Sequence, residues 1–269
     1  MLPISVIVPV RNAETMLETC LDSIVRAKPA EIIVVDGNST DHTLEILKRY
    51  PLRVISDGGR GVPAARMMGI RAASRPVVAL VDVDIIWGQG GLEALYNEFT
   101  LDGYDGLQAG LVSISGGGYW GRALAYHHNN GHSKHWPGVM ATLFRKTVFD
   151  AYPFDERFRS GEDIELRWRL KQAGLKLGIS GLTLVRHQFG DTYEAAKDQW
   201  LQDGKGLGRM VAKYGLPAAS MLAIPAAGCV RGVLLSLLRL QPKWIPYFMG
   251  YLVYNYAAMP GGLKERLST

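Results

Sequence analysis

Residues 76–84 read Pro-Val-Val-Ala-Leu-Val-Asp-Val-Asp, an apolar run that ends in two carboxylates one residue apart. Such a run is typical of a β-strand that is buried on both faces of a parallel sheet. Ligands of open α/β sheets bind beyond the carboxyl ends of these strands. There the like charges of Asp82 and Asp84 need a compensating partner, and a hard divalent cation that bridges a diphosphate would supply it. The alternative is that Asp82 caps the following segment and Asp84 is solvated.

Two earlier strands precede this one and end in a similar way. Residues 5–9 are a short apolar run, and residues 31–36 read as a second strand in which residues 32–35 are entirely apolar. A helical pattern follows each of them. This β-α-β-α order predicts an α/β fold with a mainly parallel sheet and right-handed crossovers. Turn-prone polar residues follow both strands, at residues 9–12 and 36–41. Each turn alone is consistent with ordinary turn and capping chemistry, but three successive strand ends place polar groups along one edge of the sheet.

After residue 111 the alternation of strand and helix signals becomes less regular. Residues 126–136 read as one polar loop. The loop contains four histidines: His127, His128, His132 and His135. Their spacing does not match a compact structural zinc site, and no cysteine joins them. A strand at 139–144, a helix at 162–172 and a strand at 177–187 complete this part of the chain.

Composition narrows the class of protein. The chain has 269 residues, a formal net charge of +5 and a pI of about 9.1, and its length allows one large α/β domain with a short appendage. No basic stretch is interleaved with aromatic residues, which argues against nucleic acid as a partner. Many cations flank apolar segments near the C-terminus, which favours lipid headgroups as a binding partner.

The two cysteines fit a reducing compartment, and the strand-like residues 5–10 argue against a secretory signal. We therefore expect the part that carries the chemistry to face the cytoplasm.

The composition changes near residue 216. Residues 217–240 and 244–259 are apolar segments with interrupting prolines and polar side chains, and each approaches the length of about 20 residues that a spanning helix needs. Three arrangements fit: a short transmembrane hairpin, helices that lie in the cytoplasmic interface, and a soluble helical hairpin packed on the domain. We expect these divisions of the chain: a catalytic domain over 1–190, a linker or interfacial helix over 191–215, a membrane-associated hairpin over 216–263 and a tail over 264–269.

The order of these motifs resembles the inverting family 2 glycosyltransferases, which have the GT-A fold. The resemblance covers roughly residues 4–190 and rests on five stretches: the opening strand at 5–12, the nucleotide-binding turn at 35–41, the G-x-x-x-A-R segment at 61–66, the D-x-D motif at 82–84 and the G-E-D motif at 161–163. Met67 departs from the family, where asparagine is usual, and Arg11 stands where an aromatic residue is common. The implied fold class is α/β, a Rossmann-like mixed sheet of the GT-A type, with a C-terminal apolar helical segment that associates with a membrane.

The resemblance implies a nucleotide-sugar donor, GDP-mannose or a UDP-hexose, and Mn²⁺ or Mg²⁺ as cofactor. It implies these donor-side residues: Pro9, Asn12 and Asp36 in the base and ribose pocket, Arg66 at the phosphates or behind the Asp82 turn, Asp82 at the ribose or sugar, and Asp84 on the metal. His187 would be an additional metal ligand, with a structural role as the alternative. Lys205 and Arg209, in a Gly-Lys-Gly-Leu-Gly-Arg stretch, would close over the diphosphate or meet lipid phosphates.

Asp163 is the candidate catalytic residue. An inverting transfer is a single displacement at the anomeric carbon, so the acceptor hydroxyl needs a proton acceptor on the face opposite the leaving diphosphate. One carboxylate suffices, and Asp163 stands in the first turn of a predicted helix, where a merely capping carboxylate is the alternative. Glu162 and Trp136 are the acceptor-side candidates, and the Trp136 ring is available to stack on a sugar.

The same motifs allow several possible functions of the chain to be compared. We expect a hydroxyl of a lipid-linked glycan or glycolipid as the acceptor, because a polyprenyl phosphate is already an anion and needs no base. A polyprenyl-phosphate sugar synthase is the alternative. A sugar-nucleotide nucleotidyltransferase would need a glycine-rich basic loop after the first strand, where Pro9-Val10-Arg11-Asn12 stands instead. A catalytically silent membrane-binding module is opposed by the intact Asp82, Asp84 and Asp163.

Overall fold

The computed structural model describes residues 1–131 and 135–265 of the chain. Its strands are β1 (Leu2–Val10), β2 (Pro29–Asp36), β3 (Arg53–Ser56), β4 (Val77–Leu80), β5 (Ile85–Trp87), β6 (Gly106–Ser115), β7 (Thr142–Arg145) and β8 (Leu177–Phe189). These strands form one sheet in the order β3-β2-β1-β4-β7-β6-β8-β5. The neighbours among β1 to β4 are parallel, whereas β7 pairs antiparallel with β4 and β6, and β5 pairs antiparallel with β8. The predicted α/β class is confirmed, with parallel pairing in the N-terminal half of a mixed sheet.

The helices are α1 (Leu17–Val25), α2 (Thr43–Leu47), α3 (Val62–Ala72), α4 (Gly91–Leu101), α5 (Tyr119–Asn130), α6 (Val148–Ala151), α7 (Glu162–Gln172), α8 (Tyr193–Tyr214), α9 (Ile224–Leu238) and α10 (Ile245–Lys264). Two 3₁₀ segments, Leu216–Ala223 and Pro242–Trp244, precede α9 and α10. A helix follows each of β1, β2 and β3, as the alternating pattern predicts.

Alternate residues of β1 point into two different hydrophobic cores. Val6 and Val8 belong to the cluster that α1 joins through Leu21, and Ile7 belongs to a second cluster that α3 joins through Ile70. All five side chains are almost completely buried, and each contributes about 1.5–3 kcal/mol to folding through the hydrophobic effect. The strand is therefore fixed on both faces, and its carboxyl end is held in a defined position.

The chain divides into two compact units. The first, here called the sheet unit, comprises Met1–Val112, His135–Glu156 and Leu166–Gln188. The second, here called the helical unit, comprises the described residues among 113–134, 157–165 and 189–269.

The core of the helical unit is aromatic. Trp200 of α8 and Tyr247, Phe248 and Tyr251 of α10 are buried in it together with Ala123 and Leu124 of α5. The buried residues of α10 recur three or four positions apart and form one face of the helix: Tyr247, Tyr251, Asn255, Ala258, Met259 and Gly262. This spacing is that of a helix packed along one side, and α8 lies against that side.

The loop predicted over residues 126–136 is wrong in its first half. Tyr126 to Asn130 are the last residues of α5, because this helix continues the burial pattern of Ala123 and Leu124. His127 takes its place in the same aromatic core, one turn after Ala123. His132 lies outside the described residues.

One stretch of the described chain is long and apolar enough to cross a membrane. It runs from Leu216 to Leu238, 23 residues, and an 18-residue stretch within it has a mean hydropathy of 1.9 and is 22% buried. The second predicted apolar segment, residues 244–259, forms most of α10 and packs one face on α8.

Candidate functional site

The carboxyl ends of β1, β2 and β4 carry the polar residues predicted from the sequence. Val10 is in register with Asp36, and the Val81 amide, just after β4, donates to the Ile7 carbonyl at 3.0 Å. The three strand ends are parallel neighbours, so the residues that follow them lie along one edge of the sheet. This part of the prediction is confirmed by the strand pairing.

Hydrogen bonds tie the turn after β1 to the turn after β2. The backbone N–H of Asn12 donates to Ser39 Oγ at 2.9 Å, and Asn12 Oδ1 accepts from the backbone N–H of Thr40 at 2.8 Å. The Asp36 carboxylate is buried and accepts from the Ser39 amide at 3.3 Å. Asn12 and Asn38 both have positive φ angles, a conformation that asparagine tolerates better than most residues. The turn predicted to bind a nucleotide is therefore a fixed structure with a buried carboxylate at its base.

Asp57, just after β3, was not predicted as part of the site. Its two carboxylate oxygens accept hydrogen bonds from the amides of Gly59 and Gly61, at 2.7 and 3.0 Å. These bonds shape the loop that leads into α3, and α3 carries Arg66. The sequence alone indicates a turn at Asp57, because Asp-Gly-Gly after a strand is a strong turn pattern.

Arg66 is buried against Asp82. One terminal nitrogen, Nη2, donates to both carboxylate oxygens, at 2.7 and 3.0 Å, and the guanidinium carbon lies 5.7 Å from the centre of the Phe154 ring. The Arg66 side chain is 3% exposed, and a buried cation needs such a partner. Of the two roles that the resemblance implies for Arg66, the contact seen is the one that braces the Asp82 turn.

Asp84 and His187 come together across the β5–β8 pair. Ile85 is in register with His187, and His187 Nε2 lies 3.2 Å from Asp84 Oδ2. The other carboxylate oxygen of Asp84, Oδ1, is buried and has no hydrogen-bond partner in the described part of the chain. A buried carboxylate oxygen without a partner is costly, and a bound cation would relieve that cost.

The donor set of this pair fits the predicted cofactor. Carboxylate oxygen and neutral imidazole nitrogen are both ligands of Mn²⁺, and carboxylate suits Mg²⁺. No group of three or more His, Cys, Asp or Glu side chains that could hold a metal occurs in the described residues. Asp84 and His187 would therefore supply two ligands, and the remaining ones would come from substrate oxygens and water, as is usual for Mg²⁺ at phosphate sites.

The G-E-D motif belongs to the helical unit and lies against α8. Gly161 has a φ of +76°, and a Cβ added there would lie 2.8 Å from the Gly206 Cα atom, so both positions require glycine. The Ser160 hydroxyl accepts a hydrogen bond from Arg209 Nη1 at 2.6 Å. Glu165, one turn after Gly161, is fully buried and accepts from Lys213 Nζ at 2.6 Å. The motif is thus held from both ends by side chains of α8.

The Gly-Lys-Gly-Leu-Gly-Arg stretch is helical and forms no phosphate-binding loop. Gly204 and Gly208 lie within α8, where added Cβ atoms would meet the backbone carbonyl oxygens of Asn255 and Met259 at 2.2 and 2.3 Å. The two glycines therefore allow α8 and α10 to pack closely, as small residues four apart commonly do.

Arg209 is buried and bound within the helical unit. Its Nε and Nη2 donate to the Glu265 carboxylate at 2.6 and 2.8 Å, and Nη1 donates to Ser160. The hydrogen bonds from Arg209 hold the pKa of Glu265 below its usual value, and Lys205 and Arg159 add to this effect. The donors of Arg209 face Ser160 and Glu265, which gives this residue a structural part in place of the phosphate contact expected for it.

The sequence pattern of Glycosyl transferase family 2 matches residues 5–160, more than half of the chain. The chain belongs to glycosyl transferase family 2. The succinoglycan biosynthesis protein ExoA of Rhizobium meliloti is 24% identical over 93% of this chain and 84% of its own length. The poly(ribitol-phosphate) beta-glucosyltransferase of Bacillus spizizenii is 34% identical over 43% of this chain. The pre-mycofactocin glycosyltransferase of Mycobacterium tuberculosis is 27% identical over 68% of it. The chain spans 20% and 42% of the lengths of these last two relatives.

Solved structures share the fold. The mannosyltransferase PcManGT from Pyrobaculum calidifontis, in complex with GDP-Man and Mn²⁺, has a TM-score of 0.68 at 18% identity and covers 96% of this chain and 87% of its own. TarS 1-349 from S. aureus, in complex with UDP-GlcNAc, has a TM-score of 0.61 at 17% identity and covers 97% and 89%. The predicted GT-A fold of this family 2 member is confirmed.

The described histidines of residues 126–136 do not form a metal site in this family 2 protein. His127 Nδ1 lies 3.0 Å from the Tyr247 hydroxyl, which also accepts a hydrogen bond from Trp200 Nε1 at 3.3 Å. Burial lowers the pKa of His127 to about 4, so this imidazole is neutral at physiological pH. The His128 ring lies 4.7 Å from the Phe189 ring. These two histidines serve as packing residues of the helical unit.

Trp136 lies in the sheet unit and is 44% exposed. The Arg167 guanidinium carbon lies 5.1 Å from the centre of its ring, a distance at which a cation is attracted to the face of an indole. One face of Trp136 therefore already has a partner. Its predicted contact with a sugar ring stays a prediction.

Proposed function

We propose that this chain is an inverting hexosyltransferase that moves a hexose from a nucleotide-diphosphate sugar to a hydroxyl acceptor by a single displacement. The observation that carries the proposal is the Asp84–His187 pair, whose buried carboxylate oxygen lacks a partner. Asp84 follows β4, which pairs with β1, and β1 pairs with the strand whose last residue is Asp36. A cation site beside a nucleotide-binding turn is what a metal-dependent nucleotide-sugar enzyme needs.

On the donor side, the Asp36 carboxylate would accept hydrogen bonds from the nucleobase edge, and Pro9 and Asn12 would line the base and ribose pocket. Asp82, which Arg66 braces, would contact the ribose or the sugar. GDP-mannose is the preferred donor in this proposal and UDP-hexoses are the next candidates. Solved relatives in complex with GDP-Man and Mn²⁺ and with UDP-GlcNAc support both classes.

Asp84 and His187 would hold Mn²⁺ or Mg²⁺. When bound there, the cation stabilises the negative charge that develops on the leaving diphosphate. Neighbouring hydrogen bonds hold this arrangement in place. Arg66 donates to the Asp82 carboxylate, and the backbone N–H of Gln188 donates to the backbone carbonyl of Asp84 at 2.9 Å.

Asp163 would take the proton of the acceptor hydroxyl as the new bond to the anomeric carbon forms. It stands in the first turn of α7. Glu162 beside it is partly exposed and would contact the acceptor. The presence of a base favours a hydroxyl acceptor over a polyprenyl phosphate.

The acceptor in this proposal is a lipid-linked glycan or glycolipid, reached by a helical unit that lies on the membrane. Four apolar side chains of α9 are exposed at helical spacing: Val230, Leu234, Leu237 and Leu238. Arg239 and Lys243, just beyond them, are exposed cations. An apolar stripe beside cations is the pattern of a helix that binds an anionic membrane surface.

A thermal-shift panel tests the donor assignment. UDP, GDP and their hexose conjugates are each added with and without Mn²⁺. At about 100 times its Kd a ligand raises stability by about 2.7 kcal/mol, so we expect one nucleotide class to raise Tm when Mn²⁺ is present. The Asp84→Asn variant should lose the Mn²⁺-dependent part of the shift, whereas Asp102→Asn, an exposed carboxylate at the end of α4, should keep it. If no nucleotide raises Tm with the metal present, the donor assignment is wrong.

A further inference from the structure

One face of α8 contacts the G-E-D motif and the residues on either side of it. Arg209 binds Ser160, Gly206 lies against Gly161, and Lys213 binds Glu165. These three α8 residues are three and four positions apart, so they share one side of the helix. The next position on that side, three residues before Gly206, is Asp203.

Asp203 lies about one turn before Gly206 in α8, and Asp163 lies two residues after Gly161 in the first turn of α7. The two carboxylates interact electrostatically, and the contact between Gly206 and Gly161 holds the two backbones together one helical turn away. Three groups of the helical unit also face Asp203. Gln199 Nε2 donates to Asp203 Oδ1 at 2.9 Å, and Tyr247 and Tyr251 of α10 interact with its charge. Among these groups Asp163 is the one carboxyl group.

The surroundings favour the neutral form of Asp203. Burial raises the pKa of Asp203 to about 7, the negative charge of Asp163 acts in the same direction, and the hydrogen bond from Gln199 opposes them. At pH 6 this carboxyl is mostly protonated, and at pH 8 it is mostly ionised.

We propose that Asp203 is a positioning residue that sets the proton-accepting strength of Asp163. The inference rests on the proposed function, in which Asp163 is the base. When Asp203 is ionised, its charge lies beside Asp163 and favours proton uptake there, because like charges repel. In the transfer step the acceptor O–H bond breaks and its oxygen bonds to the anomeric carbon. The bond to the leaving diphosphate breaks with its electron pair, and the proton goes to Asp163. Asp203 exchanges no proton in this step and acts only through its charge.

The proposal predicts that the transfer rate depends on pH through the ionisation of Asp203. As pH rises through about 7, Asp203 gains its charge and kcat/KM should rise. We expect kcat/KM to rise about tenfold. This corresponds to an interaction of about one pK unit between the two carboxyl groups, the size above which coupled groups titrate in separate steps. The Asp203→Asn variant is neutral at every pH and should lack this rise.

The experiment compares kcat/KM from pH 6 to 8 in the wild type, Asp203→Asn and Asp198→Asn. Asp198 is an exposed aspartate of the same helix and serves as the control. Relative to the wild type, Asp203→Asn should be slower by about tenfold at pH 8 and by less than about twofold at pH 6. Asp198→Asn should follow the wild type throughout. A profile of Asp203→Asn that superimposes on the wild type overturns the inference.

A second measurement needs no substrate. In ¹³C NMR of protein labelled at the aspartate carboxyl carbons, one resonance of the wild type should titrate near pH 7, disappear in Asp203→Asn and shift its midpoint downward in Asp163→Asn. If no aspartate resonance titrates between pH 6 and 8, the inference fails even when the enzyme is active. If the coupling is seen but Asp163→Asn retains full transfer, the proposed base is wrong and the electrostatic pair still stands.

Discussion

The sheet edge and the helical unit hold their polar residues in different ways. At the sheet edge, Asn12 binds Thr40 across 28 positions and Arg66 binds Asp82 across 16 positions, and each partner stands at the end of a strand or in a nearby helix. In the helical unit, Arg209 binds Ser160 across 49 positions and Glu265 across 56, and His127 meets Tyr247 across 120. The first arrangement depends on strand order, whereas the second depends on how distant helices pack.

This difference predicts which property, ligand binding or stability, a substitution in each region should affect. Substitutions at the sheet edge should weaken ligand binding with little loss of stability, because the strands are fixed by two hydrophobic cores. Substitutions in the helical unit should reduce stability first, because its polar contacts exist only when the helices are packed.

Gly208→Ala should have the largest effect on stability. A Cβ at Gly208 would lie 2.3 Å from the Met259 backbone oxygen, which cannot move without shifting α10, so we expect a loss of about 3 kcal/mol. The matched control is Gly261→Ala, since a Cβ at Gly261 of α10 meets no atom within 4 Å. That change should be neutral or stabilising by up to about 1 kcal/mol. Both are measured by chemical denaturation, and equal losses in the two variants would contradict the packing role.

His127 should make the helical unit sensitive to acid. Its pKa in the folded protein, about 4, lies below the ordinary value of 6.5, so the stability that its neutral form provides is present above pH 6.5 and falls as the pH decreases towards 4. The loss over this range should be about 3 kcal/mol. His127→Phe keeps an aromatic ring and should lose stability at neutral pH, since the bond to Tyr247 is gone. Denaturation of both proteins at pH 7 and pH 4.5 checks this, and the same fall in both would contradict it.

Asp84→Asn should show the contrasting behaviour of the sheet edge. We expect Mn²⁺ affinity, measured by calorimetry with nucleotide present, to fall about a hundredfold, while the Tm of the protein without ligand changes by less than about 2 °C. A large loss of stability with unchanged metal affinity would reverse the contrast between the two regions.

Leu234→Ser should have the smallest effect and concerns the exposed stripe of α9. Losing one leucine from a lipid contact costs about 1.5 kcal/mol, which is roughly a tenfold loss in partitioning into anionic vesicles. Leu101→Ser is the control, because Leu101 is an exposed leucine of the sheet unit and should leave vesicle binding unchanged. If the two variants co-sediment with vesicles equally, the α9 stripe is not the membrane contact.

The sequence is informative about the sheet and much less so about the helical unit. The strands ending at Val10, Asp36 and Leu80 could be predicted, because an apolar run bounded by turn residues has a local physical cause. The motifs after these strands could be found for the same reason. Asp57 could have been found from its Asp-Gly-Gly turn.

The rest depends on contacts that no local pattern encodes. His127 reads as polar in the sequence, but its ring packs in an aromatic core whose members come from four helices, α5, α8, α9 and α10. Gly204 and Gly208 resemble a phosphate loop, but their neighbours are backbone atoms of α10, about 50 residues away along the chain. Asp203 has no sequence signal, because its role depends on one face of α8 lying along the G-E-D motif.

Asp163→Asn tests the central claim most directly. Asparagine keeps the size of the side chain and removes the proton acceptor, so transfer should fall by about 10²- to 10⁴-fold. The affinity for the nucleotide sugar with Mn²⁺ should stay within about twofold, since Asp163 contacts no donor group in this account. Asp198→Asn should retain full activity. Full transfer by Asp163→Asn, or a loss of donor binding equal to its loss of turnover, would contradict the assignment of this carboxylate as the base.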